Sequence, residues 1–73
     1  MEDKTSVVTP MAVARYYMRR MAMQVDNEHF QELCRTVAYA IYPAEVAYQI
    51  AVQFGVTDLP TPEEVFRVGA LPG

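Results

Sequence analysis

The apolar side chains of residues 30–41 recur with the period of an α-helix, and no other feature of the sequence restricts the possible folds as strongly. They stand at steps of three and four residues, and the polar side chains of Gln31, Glu32, Arg35 and Thr36 lie between them. A stripe of this kind predicts an amphipathic helix that buries one face. We therefore expect a helix over about residues 28–42. Its expected apolar face consists of Phe30, Leu33, Cys34, Val37, Ala38 and Ile41.

Prolines and capping residues predict where the other helices begin. Thr9 and Thr61 each precede a proline, which combines a capping hydroxyl with the residue best suited to the first helical position. Glu64 follows Thr61 by three residues, so the two can form a capping box. Pro43 ends one helix and opens the next, because proline is accepted in a first turn and excluded from a helix interior. The remaining expected helices cover about residues 10–25, 43–54 and 62–68.

These segments predict an all-α protein, a small single-domain bundle of three main helices with a short C-terminal helix. The chain has 73 residues and an apolar fraction of 52%, which fits one packed domain. We expect a flexible N-terminal arm over residues 1–8, a helical domain over residues 9–69 and a tail over residues 70–73.

Charge and cysteine content restrict the compartment and the class of partner. The formal net charge is −3, which disfavours a dedicated nucleic-acid binder because phosphate neutralisation requires a basic surface. A single cysteine cannot form an internal disulfide, so a reducing cytoplasm is expected. Apolar runs are too short for a membrane span of about 20 residues, and no membrane association is expected.

The residues that usually carry catalysis are few and each has a structural explanation. Cys34 lies in the predicted apolar stripe, where a thiol acts as a small hydrophobic group. His29, the only histidine, is expected on a different face of the same helix. Glu63 and Glu64 fit the first turn of the last helix, where the helix dipole favours acids. We therefore predict a protein that is not an enzyme, with no catalytic, metal or cofactor site.

Residues 47–68 partly fit a helix-turn-helix motif, so the predicted bundle is helix-turn-helix-like. Ala51 and Gly55 have the spacing of the small residue and the turn glycine of that motif. The connection to the last helix is longer than the usual three to four residues, however. The helix that would read DNA carries Glu63 and Glu64, which repel phosphate. A small helix-turn-helix repressor is thus the alternative hypothesis, and no sequence-specific DNA binding is expected.

The first predicted helix carries a cluster of arginines and aromatic residues that suits a protein interface. Tyrosine and arginine are enriched among the residues that contribute most to binding. Methionines on the same helix, and tyrosines 39, 42 and 48 elsewhere, offer adaptable contact area. Those methionines are Met11, Met18, Met21 and Met23. The residues expected to bind a partner, including two valines in the N-terminal arm, are Val7, Val8, Arg15, Tyr16, Arg19 and Arg20.

The chain as a whole resembles the small transcription regulators of lytic Xanthomonas phages. The resemblance is carried by Met-Glu-Asp-Lys-Thr-Ser-Val-Val-Thr-Pro at positions 1–10, by Met-Ala-Val-Ala-Arg-Tyr-Tyr-Met-Arg-Arg at positions 11–20, and by the chain length. It implies binding to the host RNA polymerase at the N-terminal region of β′ and at the β flap, near the RNA exit channel. It also implies displacement of the σ factor, which inhibits initiation, and antitermination during elongation.

The resemblance assigns no contact residues, so the six interface residues rest on physical arguments alone. The basic cluster could meet an acidic surface of the polymerase or the nascent RNA. An adaptor or antitoxin that masks another host protein is a further hypothesis of the binding class.

Overall fold

A computed structural model describes residues 8–71 and confirms a small all-α bundle. Within this range the chain forms α-helices and no strand. The helices are α1 (Pro10–Met21), α2 (Asn27–Ala38), α3 (Pro43–Gln53) and α4 (Pro62–Val68), with a 3₁₀ turn at Ala22–Gln24 directly after α1.

Helix α1 begins as predicted and buries a face that includes part of the apolar stripe expected from its sequence. The hydroxyl of Thr9 accepts a hydrogen bond of 3.1 Å from the backbone N–H of Ala12. The α-helix ends at Met21, before the expected end near residue 25, and the chain tightens into the 3₁₀ turn. Of the apolar residues that recur at helical spacing along this part of the sequence, Ala14, Met18 and Met21 are buried, Met11 and Val25 are half-buried, and Ala22 is exposed. The buried residues of α1 are Val13, Ala14, Tyr17, Met18 and Met21.

Helix α3 supplies the surface against which this face of α1 packs. Its buried positions Ala44, Ala47 and Ala51 lie one or two turns apart on one side of the helix. Because alanine is short, the large side chains of α1 can approach the backbone of α3 closely. The centre of the core therefore lies between α1 and α3, where Tyr17 and Met21 are fully buried.

Tyr17 connects the core to the chain between α3 and α4. Its hydroxyl donates a 2.7 Å hydrogen bond to the backbone carbonyl of Pro60. Its ring packs edge-on against Tyr48, with 5.3 Å between the centroids. Burial raises the pKa of Tyr17 to about 12, with smaller contributions from the negative charge that Tyr48, Tyr16 and Glu64 can carry.

Helix α2 has a well-formed start but contributes little to the core. The Asp26 carboxylate accepts a 3.0 Å hydrogen bond from the backbone N–H of His29, which caps the helix. The helix ends at Ala38, although the sequence predicted an end near residue 42. The residue before a proline avoids the helical region, and Tyr42, which precedes Pro43, has a non-helical conformation. Val37 is the one buried residue of α2.

Residues 54–61 connect α3 to α4 through two well-defined helix ends. Gly55 has a φ of +85°, and the N–H of Val56 bonds to the carbonyl of Ala51, as in a Schellman motif. At the start of α4, the hydroxyl of Thr61 accepts from the N–H of Glu64, whose carboxylate accepts from the N–H of Thr61. The predicted capping box is confirmed. The connection exceeds the three to four residues of a helix-turn-helix.

The chain on either side of the helices reaches the core within the described range. Val8, which the sequence assigns to the N-terminal arm, is half-buried against the core, and Leu71, in the predicted tail, packs there as well. Residues 1–7 and 72–73 lie outside the described residues, and so does the predicted partner-binding residue Val7.

Candidate partner-binding surface

A groove of about 560 Å³ runs between α1 and α2, and mainly apolar side chains line it. It exists because the apolar face of α2 is only partly covered. Phe30 is half-buried, and Cys34 and Ala38 are exposed. The residues that line the groove are Met11, Ala14, Arg15, Met18, Arg19, Phe30, Cys34, Val37 and Ala38.

Among residues 8–71, the charged residues that line this groove are two arginines of α1. Arg15 and Arg19 are four residues apart, so they lie on the same side of α1, and both are exposed. Within residues 8–71, neither guanidinium makes a salt bridge with a carboxylate. The chain as a whole is acidic, so this pair forms a local positive site beside an apolar surface.

Tyr16 and Arg20 form a separate site on another side of α1. A guanidinium N–H of Arg20 donates a 3.0 Å hydrogen bond to the Tyr16 hydroxyl, and a second approaches the Thr57 carbonyl at 3.5 Å. The guanidinium carbon lies 6.0 Å from the centroid of the Tyr16 ring. The sequence predicted one patch of Tyr16, Arg19 and Arg20. The structure places Arg19 with Arg15 at the groove and holds Arg20 against Tyr16.

The methionines of the first helix do not form the surface that the sequence suggested. Met18 and Met21 are buried in the core, and Met11 is half-buried at one end of the groove. Only Met23, in the 3₁₀ turn, is open to solvent, with 93% of its surface exposed. The reason is that α1 faces α3 through its methionines and Tyr17, so the thioethers fill the core.

The turn between α2 and α3 exposes large apolar side chains instead. Tyr39 and Ile41 are each 85% exposed, and Tyr42 is 70% exposed. Ile41 was predicted on the buried stripe of the second helix, but the helix ends three residues earlier and leaves this side chain in the turn. Tyr48, also expected as contact area, instead packs on Tyr17.

Cys34 and His29 lie on different sides of α2, as the sequence predicted. Cys34 was expected in the core, but it is exposed and lines the groove. His29 is at the first turn, where its Nδ1 is 2.8 Å from the Asp26 carboxylate. The hydrogen bond from the His29 backbone, followed by the one from its ring, lowers the pKa of Asp26. The Asp26–His29 pair is thus accounted for by helix capping.

Other kinds of site have no geometric support in the part of the chain that the structure describes. No group of three or more histidine, cysteine, aspartate or glutamate residues within residues 8–71 is arranged to hold a metal ion. No helix in that range has the length and apolar character needed to cross a bilayer. No family model, curated protein or solved structure matches this chain.

Proposed function

We propose that this protein is a non-catalytic transcription regulator that binds the bacterial RNA polymerase of a phage host in the host cytoplasm. The proposed contact is with the N-terminal region of β′ and the β flap, near the RNA exit channel. Binding there would displace the σ factor, inhibit initiation and promote antitermination. The choice of polymerase rests on the resemblance to small regulators of lytic Xanthomonas phages, and the class of activity rests on the surface.

The observation that supports a binding role is the uncovered apolar groove with Arg15 and Arg19 beside it. A short helix such as α2 gains most of its stability from packing its apolar face against the rest of the protein. Here that face is left partly open, and two guanidiniums stand next to it. Apolar area together with arginine is the composition of the energetically important centre of protein interfaces.

The charges of α4 argue against the alternative, a DNA-binding repressor. The helix α4 that would enter a groove of DNA exposes Glu63 and Glu64, and its one cation is Arg67. Carboxylates at that position repel the phosphate backbone, which supplies most of the affinity of DNA-binding proteins. Sequence-specific DNA binding is therefore not part of the proposal.

The test measures binding of the purified protein to purified polymerase core, with two double variants of equal charge change. Arg15→Glu/Arg19→Glu reverses the groove pair. Arg35→Glu/Arg67→Glu reverses two exposed arginines in the last turns of α2 and α4, outside the residues that line the groove. We expect the first variant to lose at least about tenfold in affinity, which corresponds to about 1.4 kcal/mol.

The control variant should bind core within about threefold of the wild type, and circular dichroism should show both variants folded. Addition of σ factor should then compete with the wild-type protein for core, and the protein should suppress promoter-dependent initiation. Failure of the wild-type protein to bind core would remove polymerase from the proposal. If both double variants weakened binding equally, the groove would be excluded as the binding site for polymerase.

A further inference from the structure

The apolar face of α2 follows the helical period in the sequence but is only partly buried in the structure. Leu33 and Phe30 are half-buried, and Cys34 and Ala38 are exposed, although all four follow the helical period. Covering such a face releases water from apolar surface, at about 25 cal/mol per Å². The groove between α1 and α2 is therefore a place where a further chain would bury apolar surface by packing.

The dimensions of the groove fit two turns of a helix from another chain. Its lining residues run from Met11 to Arg19 on α1 and from Phe30 to Ala38 on α2. Each span is about 12 Å long at a rise of about 1.5 Å per residue. Side chains at i, i+3, i+4 and i+7 of a bound helix cover a similar length, which is the usual pattern of helix-in-groove recognition.

Charge complementarity determines what kind of helix would fit. Arg15 and Arg19, one turn apart, have Cβ atoms about 6 Å from each other and present positive charges to an occupant. Two carboxylates at i and i+4 of an opposing helix have the same spacing. Arginine pairs with carboxylates through parallel hydrogen bonds, so a negatively charged helix is favoured over a neutral or basic one.

A nucleic acid fits the groove less well than a helix does. Its floor is formed by aliphatic, thioether and thiol groups with one phenyl ring, Phe30. Single-stranded nucleic acids need several cations along the backbone and stacked aromatic side chains. Two arginines beside an apolar floor match an amphipathic acidic peptide better.

We propose that the α1–α2 groove binds an acidic amphipathic helix of the partner protein. Apolar side chains of that helix would pack between Phe30, Cys34 and Met18, while its carboxylates pair with Arg15 and Arg19. The inference rests on the proposed partner-binding function and names the chemistry of the bound segment. It does not depend on the partner being RNA polymerase.

The test uses a labelled peptide of about 16 residues, long enough to span the groove with flanking turns. Leucines at i, i+3, i+4 and i+7 form its apolar face. Two glutamates spaced four residues apart lie beside that face. A first control peptide has lysines in place of the glutamates, and a second has the same composition in scrambled order. Binding to the full-length protein is followed by fluorescence anisotropy.

We expect the acidic peptide to bind at least about tenfold more tightly than either control peptide. Arg15→Glu/Arg19→Glu should weaken its binding about tenfold or more and improve that of the lysine peptide, whereas Arg35→Glu/Arg67→Glu should change both by less than about threefold. Alkylation of the single cysteine, Cys34, with N-ethylmaleimide should also weaken binding, because the adduct occupies the groove. Whatever affinity the Cys34→Ala variant has for the peptide should be insensitive to the reagent.

Several results would overturn the inference and are separable from the fate of the polymerase proposal. Equal binding of the acidic and lysine peptides, or insensitivity to Cys34 alkylation, would contradict it. Binding of oleate in place of the peptide would also contradict it, because the occupant would then be a lipid. Protection of Cys34 from alkylation that increases with protein concentration would contradict it as well, because the occupant would then be a second copy of the chain. Polymerase capture without peptide binding would leave the proposed function standing and overturn this inference. Peptide binding without polymerase capture would support it and exclude polymerase as the partner.

Discussion

Helices α1 and α2 have the same length and opposite relations to the core. Each has 12 residues and a side-chain cap at its start. Helix α1 buries five residues, from Val13 to Met21, whereas α2 buries Val37 alone. Yet α2 has the more regular apolar stripe in the sequence. The helix with the clearest amphipathic pattern is therefore the one that the fold covers least.

The difference separates two meanings of an apolar stripe. In α1 the stripe faces α3, where the short side chains of Ala44, Ala47 and Ala51 leave room for large residues. In α2 the stripe has no equally close neighbour within the described chain, and it forms one wall of a groove with arginines beside it. A stripe thus predicts that a helix has an apolar side to cover, and leaves open whether its own chain or a partner covers it.

The largest expected effect is on stability, from shortening side chains in the two helices. Met21→Ala should lower the free energy of unfolding by about 3 kcal/mol, because it removes a fully buried side chain and leaves a cavity. Leu33→Ala in α2 should cost about 1 kcal/mol, since that side chain is only half-buried. Urea denaturation measures both. Val13→Ala is a milder variant of α1 that stays measurable if Met21→Ala unfolds the domain, and equal costs in α1 and α2 would contradict the comparison.

The next effect concerns the alkaline stability of the α1 core. Because burial raises the pKa of Tyr17 above its unfolded value of about 10, the folded state retains its phenolic proton to higher pH. The contribution of Tyr17 to the free energy of unfolding is complete below pH 10. Between pH 10 and pH 12 this contribution falls by about 1.4 kcal/mol per pH unit. Tyr17→Phe should lose about 1 kcal/mol at neutral pH, from the hydrogen bond to Pro60, and should flatten the decline above pH 10. An unchanged alkaline slope in this variant would show that another group controls it.

The helix caps give a smaller and pH-selective effect. Thr9→Ala and Asp26→Ala should each lower Tm by several degrees at pH 7, because each removes an acceptor for a backbone N–H. The pKa of Asp26 is lowered in the folded state, so its stabilisation is present above pH 4 and is lost as the pH falls through the folded pKa. At a pH below the folded pKa the Asp26 variant should therefore approach the wild type, while the Thr9 variant should remain less stable. Melting curves at neutral and low pH measure both effects. The same pH dependence of Tm in the two variants would contradict this prediction.

The smallest expected effect is that of Cys34→Ala, which should change the free energy of unfolding by less than about 0.5 kcal/mol. The thiol is exposed on the α2 face and fills no part of the core. In the native protein it should react with a thiol reagent at a rate close to that of the unfolded chain. Slow reaction of the native thiol, or a loss of 2 kcal/mol or more, would mean that α2 is packed more like α1.

Local sequence signals were sufficient to predict where the helices begin. Thr9, Pro43 and Thr61 act within one turn of chain, and each begins a helix as expected. Helix ends were predicted less well, because apolar residues such as Ile41 continue a pattern beyond the point at which Pro43 forces the chain out of a helix.

The buried face of α1 and the composition of the site depended on contacts that are distant in sequence. Val13, Tyr17 and Met21 recur every four residues, which is a stripe in its own right, but the sequence also offers one through Met11 and Ala22. The contact with α3 selects the first. Arg19 and Arg20 are adjacent in sequence but serve different sites, because Arg20 is held by Tyr16.

The most direct test of the central claim, that the α1–α2 groove is the binding surface, is the alkylation rate of Cys34 with and without polymerase core. The thiol lines the groove and is the only cysteine of the chain, so its reaction reports on this site alone. We predict at least about a tenfold slower reaction when saturating core is present, and no slowing for Arg15→Glu/Arg19→Glu. An unchanged rate for the wild-type protein, under conditions in which core is shown to bind it, would place the interface elsewhere and contradict the account.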